Sequence, residues 1–371
     1  MYLRFVMYII VATAKSDSAT DGKNEDERGL TMNRTCVAIY LPTDEKENYH
    51  GKPLILQNVM FCPVLTWCTR AWAARGVQRF FLVGECSEAI LSCFPEGADI
   101  RRGTEADWRT HAKELMDEGW RIEESKEPVM PLGNLMISFH SMTELNQLQV
   151  ACHDSVITQL QSRGVRVMDP NTAYIDPRVE VGEGTIILPN TILRGETVIG
   201  RDCEIGPNAV ITSCVIGDNV QVNSSQVTES ELKEGVMVGP YAHIRPGCVV
   251  EKNCKIGAFT QLKNSHLGEG TKLPHLSYIG DADVGDHVNF GCGSVTCNYD
   301  GFKKSRTVIG SGVFVGCHTS LVPPVEVHDG AYIAAGTTVT RDVPADALAI
   351  SRVRQENKDG WAKRNREMKE K

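Results

Sequence analysis

A repeat of six residues runs through the second half of the chain and limits what it can fold into. Apolar residues recur at every sixth position over most of residues 175–339, with occasional one-residue shifts, and a glycine or another small or polar residue usually follows. The twenty-five matching positions are Ile175, Val181, Ile187, Leu193, Ile199, Ile205, Ile211, Ile216, Val222, Val238, Ile244, Val250, Ile256, Leu262, Leu267, Leu273, Ile279, Val284, Phe290, Ile309, Val315, Leu321, Val327, Ile333 and Val339.

A period of six fits neither the 3.6-residue turn of an α-helix nor the simple alternation of a strand. It is typical of a hexapeptide solenoid, in which each repeat is a short strand and a turn, and the apolar side chain points into a prism. One repeat cannot bury its own apolar face, so stacked coils supply the core. The pattern therefore predicts a left-handed parallel β-helix over residues 169–345.

Two segments depart from the repeat and are candidates for function. The period breaks at residues 291–304 for a long loop, and binding residues often lie in such excursions. A mixed-charge tail of residues 346–371 follows the last repeat. The tail is expected to be either a solvated helix or a functional lid.

Length and composition exclude several classes of protein. A chain of 371 residues predicts two domains, here residues 32–168 and 169–345. A net charge of −8 and only 6% aromatic residues argue against a nucleic-acid partner. No run approaches the eighteen apolar residues that a membrane-spanning helix needs, so we expect no membrane partner.

The thirteen cysteines predict free thiols rather than a disulfide framework. Their number is odd and no CxxC spacing occurs, so reduced, mostly buried thiols and a cytoplasmic location are expected. Residues 1–14 imitate a signal peptide, but a polar stretch follows them. Residues 1–31 are interpreted as a disordered extension or as the product of an upstream start codon, with export as the alternative.

Several motifs in the repeat region resemble a known enzyme family. They are Arg245-Pro246-Gly247, His275 to Asp281 (HLSYIGD), Thr296 to Gly301 (TCNYDG), Ile333 to Val343 (IAAGTTVTRDV) and Ala349 to Arg352 (AISR). Together they resemble the acetyltransferase half of the bifunctional family that makes UDP-N-acetylglucosamine. That family combines a glucosamine-1-phosphate N-acetyltransferase with an N-acetylglucosamine-1-phosphate uridylyltransferase.

The resemblance implies a site for transferring an acetyl group from acetyl-CoA to the amine of glucosamine-1-phosphate, without a metal. His275 matches the catalytic histidine, and an imidazole suits a general base at neutral pH. Asn298 is implied to orient the amine or His275. The implied sugar-phosphate ligands are Arg245, Lys263, Tyr278, Asn289 and Lys304, and the implied acetyl-CoA contacts are Cys292, Asn298, Tyr299, Cys317, Ala335 and Arg352. Family members are trimers with sites between the prisms, so a homotrimer is expected.

Three positions depart from the family pattern. Cys317 replaces a serine near the thioester, Cys292 replaces an alanine, and Gln261 replaces a glutamate near the histidine. A thiol is a weaker hydrogen-bond donor than a hydroxyl, and an amide cannot stabilise an imidazolium as a carboxylate does. The effect of these changes on activity stays open.

Residues 36–84 resemble the start of the family's uridylyltransferase domain, which implies a strand at Cys36–Leu41, a helix over residues 62–76 that ends at Gly76, and a second strand at Gln78–Gly84. The residues that bind a nucleotide are missing. The segment Pro42–Asn48 has no glycine or arginine and three acidic residues, where a triphosphate needs backbone N–H groups and cations. Leu54 stands at the position of a lysine, and Leu145 at that of a metal-binding asparagine. Residues 32–168 are therefore interpreted as a reduced, degenerate α/β nucleotidyltransferase-like domain.

The leading hypothesis is a glucosamine-1-phosphate N-acetyltransferase that has lost uridylyl transfer and supplies UDP-N-acetylglucosamine for cell-wall peptidoglycan. Two alternatives remain. The first is an acetyltransferase of the same fold acting on another amino sugar. The second is a non-catalytic regulatory or scaffold subunit.

Overall fold

The computed structural model describes residues 34–41, 48–49, 52–126, 129–132 and 135–369. Residues 1–31, interpreted above as an extension, lie outside this range, and so does most of the segment Pro42–Asn48.

Three parallel sheets form the solenoid, and we call them faces 1, 2 and 3 in the order in which each coil visits them. Face 1 consists of Arg166–Val167, Ile186–Ile187, Glu204–Ile205, Gln221–Val222, Met237–Val238, Lys255–Ala258, Lys272–His275, Asn289–Phe290, Phe314–Val315, Tyr332–Ile333 and Leu348–Ala349. Face 2 consists of Tyr174–Ile175, Ile192–Arg194, Val210–Thr212, Gln226–Thr228, His243–Ile244, Gln261–Lys263, Tyr278–Gly280, Val295–Thr296, Ser320–Leu321 and Thr338–Val339. Face 3 consists of Glu180–Val181, Val198–Ile199, Val215–Ile216, Glu231–Leu232, Val249–Val250, His266–Leu267, Ala282–Val284, Thr307–Ile309 and Val325–Val327.

The interior of the prism is built by the six-residue repeat. All twenty-five apolar positions that define the period are buried. Each pairs in parallel with the equivalent residue of a neighbouring coil, as Ile187 does with Ile205 and Ile244 with Leu262. The predicted left-handed parallel β-helix is confirmed. Val227 and Leu232 also fill the interior, at five-residue spacing, which explains the shifts in the period.

The corners of the prism use residues that tolerate left-handed backbone. Asn190, Asn208 and Asn253 have φ angles between 55° and 59°, and each follows an interior aliphatic residue by three positions. Asparagine adopts this conformation more readily than most residues because its short side chain bonds to the local backbone. The small and polar residues that follow each aliphatic position in the sequence therefore form the bends between faces.

An α/β unit precedes the solenoid, as predicted. Its parallel sheet has the strand order Asp99–Gly103, Arg79–Val83, Thr35–Tyr40, Arg121–Ser125. Its helices are α1 (Val64–Ala74), α2 (Glu88–Leu91), α3 (Glu105–Asp117) and α4 (Met142–Ser162). Smaller elements are the 3₁₀ helix Leu54–Leu56 and three two-stranded ladders, Asn48–Tyr49 with Lys52–Pro53, Asn58–Val59 with Cys62–Pro63, and Val129–Leu132 with Leu135–Ser138.

The strand–helix–strand pattern expected at the start of this unit is present. Gly76 has a φ of 87° just after α1 and ends that helix, since glycine adopts left-handed backbone without a Cβ clash. Helix α3 presents acidic residues to solvent on one side and packs on the sheet with the other. Trp108 of α3 is fully buried against the sheet, and Arg121–Ser125 forms an edge strand.

The two units share one apolar core. Buried residues of α1 and α4 are continuous with the first coils of the solenoid. A turn with positive φ at both Met60 and Phe61 lies at the junction, where the Phe61 ring stacks on the Arg194 guanidinium with 4.8 Å between the charge centre and the ring centroid. The α/β unit thereby caps the first coil, whose apolar end needs a cover.

The tail after the last coil is exposed. Helix α5 covers Trp361–Lys369, and the stretch of residues 351–360 before it lies on the surface without helix or strand. Within the described ranges, every helix is too short or too polar to cross a lipid bilayer.

Shortening an interior side chain is expected to destabilise the solenoid without altering its surface. Ile205→Ala removes fully buried methyl groups, so the free energy of unfolding should fall by about 2–5 kcal/mol. Denaturant unfolding followed by circular dichroism measures the change. Val198→Ala is the matched control, since Val198 points outward and is 42% exposed; equal losses for both variants would contradict the assignment of the interior.

Candidate functional site

Corner 1–2, where each coil passes from face 1 to face 2, carries His275. The imidazole ends the strand Lys272–His275 and is exposed. Cys292, Cys317 and Ala335 occupy the equivalent corner on the next three coils. The backbone N–H of His318 donates to the Cys292 carbonyl at 2.7 Å. Four predicted site residues from distant parts of the sequence therefore form one column, with the histidine at one end.

The far end of this column is closely packed. A Cβ atom at Gly316 would lie 2.5 Å from the Ala335 backbone nitrogen, so only glycine allows the two coils to approach this closely. Arg352, from the tail, donates a hydrogen bond from Nη1 to the Ala335 carbonyl oxygen at 2.6 Å. Its side chain thus lies at the end of the column, beside the last coil.

Corner 2–3, where each coil passes from face 2 to face 3, gathers positive charge. Arg245 and Lys263 occupy equivalent positions on neighbouring coils, and Lys304 reaches them from the loop after Thr296. The nearby Lys304 amine, and then the loss of hydration, lower the pKa of Lys263, although the Asp281 carboxylate acts in the opposite direction. Three cationic side chains therefore face the same space.

A carboxylate lies beneath these cations. Asp281 is only 6% exposed, and its Oδ2 lies 3.9 Å from Nζ of Lys263. Its Oδ1 accepts a hydrogen bond of 2.6 Å from Nδ2 of Asn264. Burial by itself raises the pKa of Asp281, but the hydrogen bonds from Asn264 and Asn298, together with the nearby lysines, bring the pKa below its usual value. Asp281 is therefore an anion at neutral pH.

Asn298 and Tyr278 connect the two corners. The Asn298 side chain is 8% exposed and donates from Nδ2 to Oδ2 of Asp281. The same nitrogen lies 3.3 Å from the Tyr278 hydroxyl oxygen. Tyr278 begins the face 2 strand three residues after His275, and a strand advances about 3.3 Å per residue. One short strand therefore separates the imidazole from the cationic cluster.

The loop that interrupts the repeat is anchored at its base. Tyr299 and Lys304 pair as an antiparallel bridge, and Asp300 accepts hydrogen bonds from the backbone N–H groups of Phe302 and Lys303, both at 2.8 Å. Arg306 then binds both carboxylate oxygens of Asp283 on face 3. These contacts hold Lys304 over corner 2–3.

Two of the predicted positions have surroundings that the sequence did not indicate. Asn289 lies on the outside of face 1, paired with Lys272 and Phe314, and so it does not face the cationic cluster within one chain. Gln261 lies on face 2 with its Nε2 3.4 Å from Nδ1 of His243.

An exposed apolar column lies beside His275 on corner 1–2. Tyr241, Phe259 and Leu276 occupy successive coils and are 57–63% exposed. The Tyr241 and Phe259 rings stack with centroids 5.5 Å apart. All three have positive φ, which is unfavourable for bulky residues, at a turn where earlier coils carry Asn or Ser. Large apolar side chains in strained, exposed positions mark a surface suited to a partner.

The α/β unit does not place polar groups where the resemblance would require them. Leu54 and Leu145, which stand at the lysine and asparagine positions, are 3% and 1% exposed and belong to the core. Among the residues that the structure describes, no three His, Cys, Asp or Glu side chains are grouped so as to hold a metal ion.

Comparison with known proteins identifies relatives of the solenoid. The bacterial transferase hexapeptide family (six repeats) matches residues 178–213, 229–264 and 306–341. The bifunctional protein GlmU of Caldanaerobacter subterraneus subsp. tengcongensis is 49% identical over 226 residues, which are 61% of this chain and 50% of that protein. GlmU of Thermoanaerobacter pseudethanolicus is 54% identical over 198 residues, which are 53% of this chain and 43% of that protein.

A solved UDP-N-acetylglucosamine acyltransferase from Francisella novicida matches 49% of this chain and 65% of its own. It is 14% identical, and its TM-score of 0.30 is too low to compare sites. The chain spans about half the length of the curated relatives it matches. The similarity to GlmU confirms the resemblance of this chain to the bifunctional family.

Several residues that organise the site were not singled out from the sequence. Asp281 entered the sequence analysis only as the last residue of the motif His275 to Asp281, and Asn264 and Arg306 lie outside the motifs. Each acts through contacts between different coils, about eighteen or more positions apart. Asp281 and Asn264 each lie two positions after an interior aliphatic residue, Ile279 and Leu262. A polar side chain at that position was the only indication in the sequence.

The thiols are expected to react in an order set by their exposure. Nine of the thirteen are buried, Cys86, Cys292 and Cys297 are half-buried, and Cys317 is exposed. Burial raises the pKa of Cys152 to about 12 and that of Cys254 to about 11, so these groups stay protonated and unreactive.

Titration of the folded protein with Ellman's reagent should therefore label Cys317 first. Two or three more thiols should react slowly, and all thirteen should react in denaturant. Cys317→Ser should remove the fast phase alone, whereas its persistence in that variant would show that corner 1–2 is not exposed as described.

Proposed function

We propose, from the similarity of the solenoid to the acetyltransferase half of the bifunctional GlmU family, that this protein transfers the acetyl group of acetyl-CoA to the amine of glucosamine-1-phosphate. The observation that carries the proposal is the cationic cluster of corner 2–3, one strand away from an exposed histidine. The two features suit an amino sugar phosphate: the cationic cluster would bind its anionic group, and the histidine would face an amine on the same sugar ring.

The cationic cluster is suited to the sugar phosphate. Arg245 offers a planar guanidinium that binds two phosphate oxygens, whereas Lys263 and Lys304 act as point charges. A phosphate placed among them relieves the repulsion that lowers the pKa of Lys263, so binding favours the protonated form of Lys263. The Tyr278 hydroxyl and the Asn298 amide lie next to the cluster, where the sugar ring would extend.

The proposed chemistry is a direct transfer. The lone pair of the acceptor's 2-amino nitrogen attacks the thioester carbonyl carbon, and the resulting N–C bond replaces the C–S bond. His275 accepts the proton that the nitrogen loses, and CoA leaves as a thiolate that is then protonated. No covalent enzyme intermediate is needed. Hydrogen-bond donors close to the thioester oxygen stabilise the tetrahedral intermediate.

Corner 1–2 is the proposed binding site of acetyl-CoA. Cys292, Cys317 and Ala335 continue the column that starts at His275, so an extended pantetheine chain lying along them presents its thioester to the imidazole. Arg352 at the far end supplies a cation for the CoA phosphates. Tyr299, 59% exposed on the loop, flanks the same region of Asn298.

A homotrimer is the proposed assembly, and two observations support it. Asn289, an implied sugar ligand, lies on face 1 and cannot join the cluster of its own chain, whereas face 1 of a neighbouring chain could present it there. The exposed column of Tyr241, Phe259 and Leu276 offers apolar surface between the two faces for such contacts. In this assembly each site includes residues of two chains.

Uridylyl transfer is proposed to be lost. Leu54 and Leu145 are core residues where the family uses a lysine and a metal-binding asparagine, and a leucine supplies neither a charge nor a metal ligand. The α/β unit instead caps the first coil of the solenoid. A separate enzyme that transfers a uridylyl group must then consume the product.

Thiol release from acetyl-CoA by the purified chain tests the proposal. Glucosamine-1-phosphate should support release, whereas glucosamine-6-phosphate and buffer alone should not, and UTP with N-acetylglucosamine-1-phosphate should yield no pyrophosphate. Acetyl-CoA should also protect Cys317 from Ellman's reagent. Thiol release with a different amino sugar, and not with glucosamine-1-phosphate, would show that the proposed acceptor is wrong. No thiol release with any acceptor would favour a non-catalytic subunit.

His275→Ala should reduce kcat by about 100-fold or more, because general base catalysis contributes roughly that much. The KM values should change little, since the imidazole is not a ligand of either the phosphate or the CoA. His328→Ala is a matched control, as His328 is an exposed histidine on the same solenoid, away from both corners. Retention of most of the activity by His275→Ala would refute the proposed mechanism.

A further inference from the structure

The buried carboxylate of Asp281 has no function assigned to it so far. It links its own coil to both neighbouring coils, through Asn264 on the preceding coil and Asn298 on the following one. A carboxylate at 6% exposure is costly to bury unless hydrogen bonds and opposite charges compensate. Among the described residues the solenoid has one other buried carboxylate, Asp176, and it is paired with the Arg178 guanidinium two residues away.

The contacts of Asp281 determine how the Asn298 amide is oriented. An ionised carboxylate only accepts hydrogen bonds, so Asn298 must turn its NH₂ group, and not its oxygen, towards Asp281. The second N–H of that group points to the Tyr278 hydroxyl, 3.3 Å away. Both donors are therefore occupied, and within the described part of the chain Oδ1 of Asn298 receives no hydrogen bond. That oxygen is left as a free acceptor beside the cationic cluster.

A free acceptor at this point suits an amine. An amino or ammonium group donates hydrogen bonds, and an amide oxygen that receives one holds the nitrogen in place with its lone pair directed elsewhere. If the amide were turned over, its NH₂ group would face the amine, donor against donor. The carboxylate thus selects the useful one of two orientations that differ little in shape.

The same carboxylate sets the net charge of corner 2–3. Arg245, Lys263 and Lys304 carry three positive charges, and Asp281 subtracts one, which leaves a net charge of +2. A phosphate monoester carries about two negative charges at neutral pH. Asp281 also favours the charged form of Lys263, because its Oδ2 lies 3.9 Å from the Lys263 ammonium nitrogen and opposes the repulsion of the neighbouring cations.

We propose that Asp281 is a positioning residue that orients the Asn298 amide towards the acceptor's amine and balances the charges that bind the phosphate. This inference rests on the proposed function, since it assigns Asp281 a part in the same reaction. It concerns how the site works rather than which acceptor it takes.

Asp281→Asn tests both parts of the proposal. The new amide has the same shape but no charge, and it can face either group of Asn298, so the orientation is no longer selected. We expect kcat with glucosamine-1-phosphate to fall about 10- to 100-fold, as for the loss of a charged hydrogen bond. KM for acetyl-CoA should stay unchanged. The rise in KM for the sugar phosphate at alkaline pH should begin at lower pH, because Lys263 loses its counter-ion and deprotonates more easily.

A double-mutant cycle separates positioning from a general structural effect. If Asp281 acts through Asn298, then Asp281→Asn should cost far less kcat in an Asn298→Ala background than in the native chain. Asp329→Asn is the matched control, because Asp329 is another corner carboxylate whose Oδ1 accepts a backbone N–H, from Ser311 at 2.7 Å. It should leave kcat and the pH profile unchanged.

The outcomes distinguish this inference from the proposed function. An inactive wild type refutes the proposed function. An active wild type with an unchanged Asp281→Asn variant, or additive losses in the cycle, refutes only the role of Asp281. If Asp281→Asn does not fold, titration calorimetry of the wild type with glucosamine-1-phosphate still tests the charge balance. Proton uptake on binding at alkaline pH is then expected, and its absence overturns the charge part.

Discussion

The register between stacked coils is the constraint on which the rest of the molecule depends. Each interior aliphatic residue must lie over the equivalent residue of the coil below, because a one-residue slip would turn it out of the prism. Backbone hydrogen bonds between neighbouring coils reinforce the same alignment along three faces. Residues about eighteen positions apart in the chain are thereby placed next to each other. Within a single helix or strand, residues so far apart in sequence would not be in contact.

The candidate site is a direct product of that stacking. Corner 1–2 aligns His275 with Cys292, Cys317 and Ala335 because these residues share one position in the repeat. Corner 2–3 aligns Arg245 with Lys263 for the same reason. A rigid scaffold can hold such groups in place at little entropic cost during binding, whereas flexible loops must be ordered each time. Lys304 and Tyr299 come from the loop after Thr296, and Arg306 ties the base of that loop to Asp283.

A buried carboxylate lies at corner 2–3, beneath the three cations. Asp281 is held there by Asn264, Asn298 and Lys263. Two amides and one ammonium group satisfy it, so the cost of removing the charge from water is offset by contacts that also orient the site. The α/β unit contributes differently, since its buried Leu54 and Leu145 serve packing between sheet, helices and the first coil.

The sequence by itself determined the solenoid and its six-residue repeat, in which an interior aliphatic residue is followed by small and turn residues. It also determined the strand–helix–strand start of the α/β unit. These features follow from patterns among residues that are close together in the sequence. It also predicted which residues, such as His275 and Lys263, carry the chemistry, although their roles stay predictions. Only the tertiary structure decided that Asp281 joins Asn264 and Asn298, that Arg306 anchors the loop, and that Asn289 faces away from its own chain's cluster. Those contacts depend on which side chains of different coils reach each other across a corner, and periodicity fixes the positions of backbones without specifying how far or in which direction a polar side chain extends.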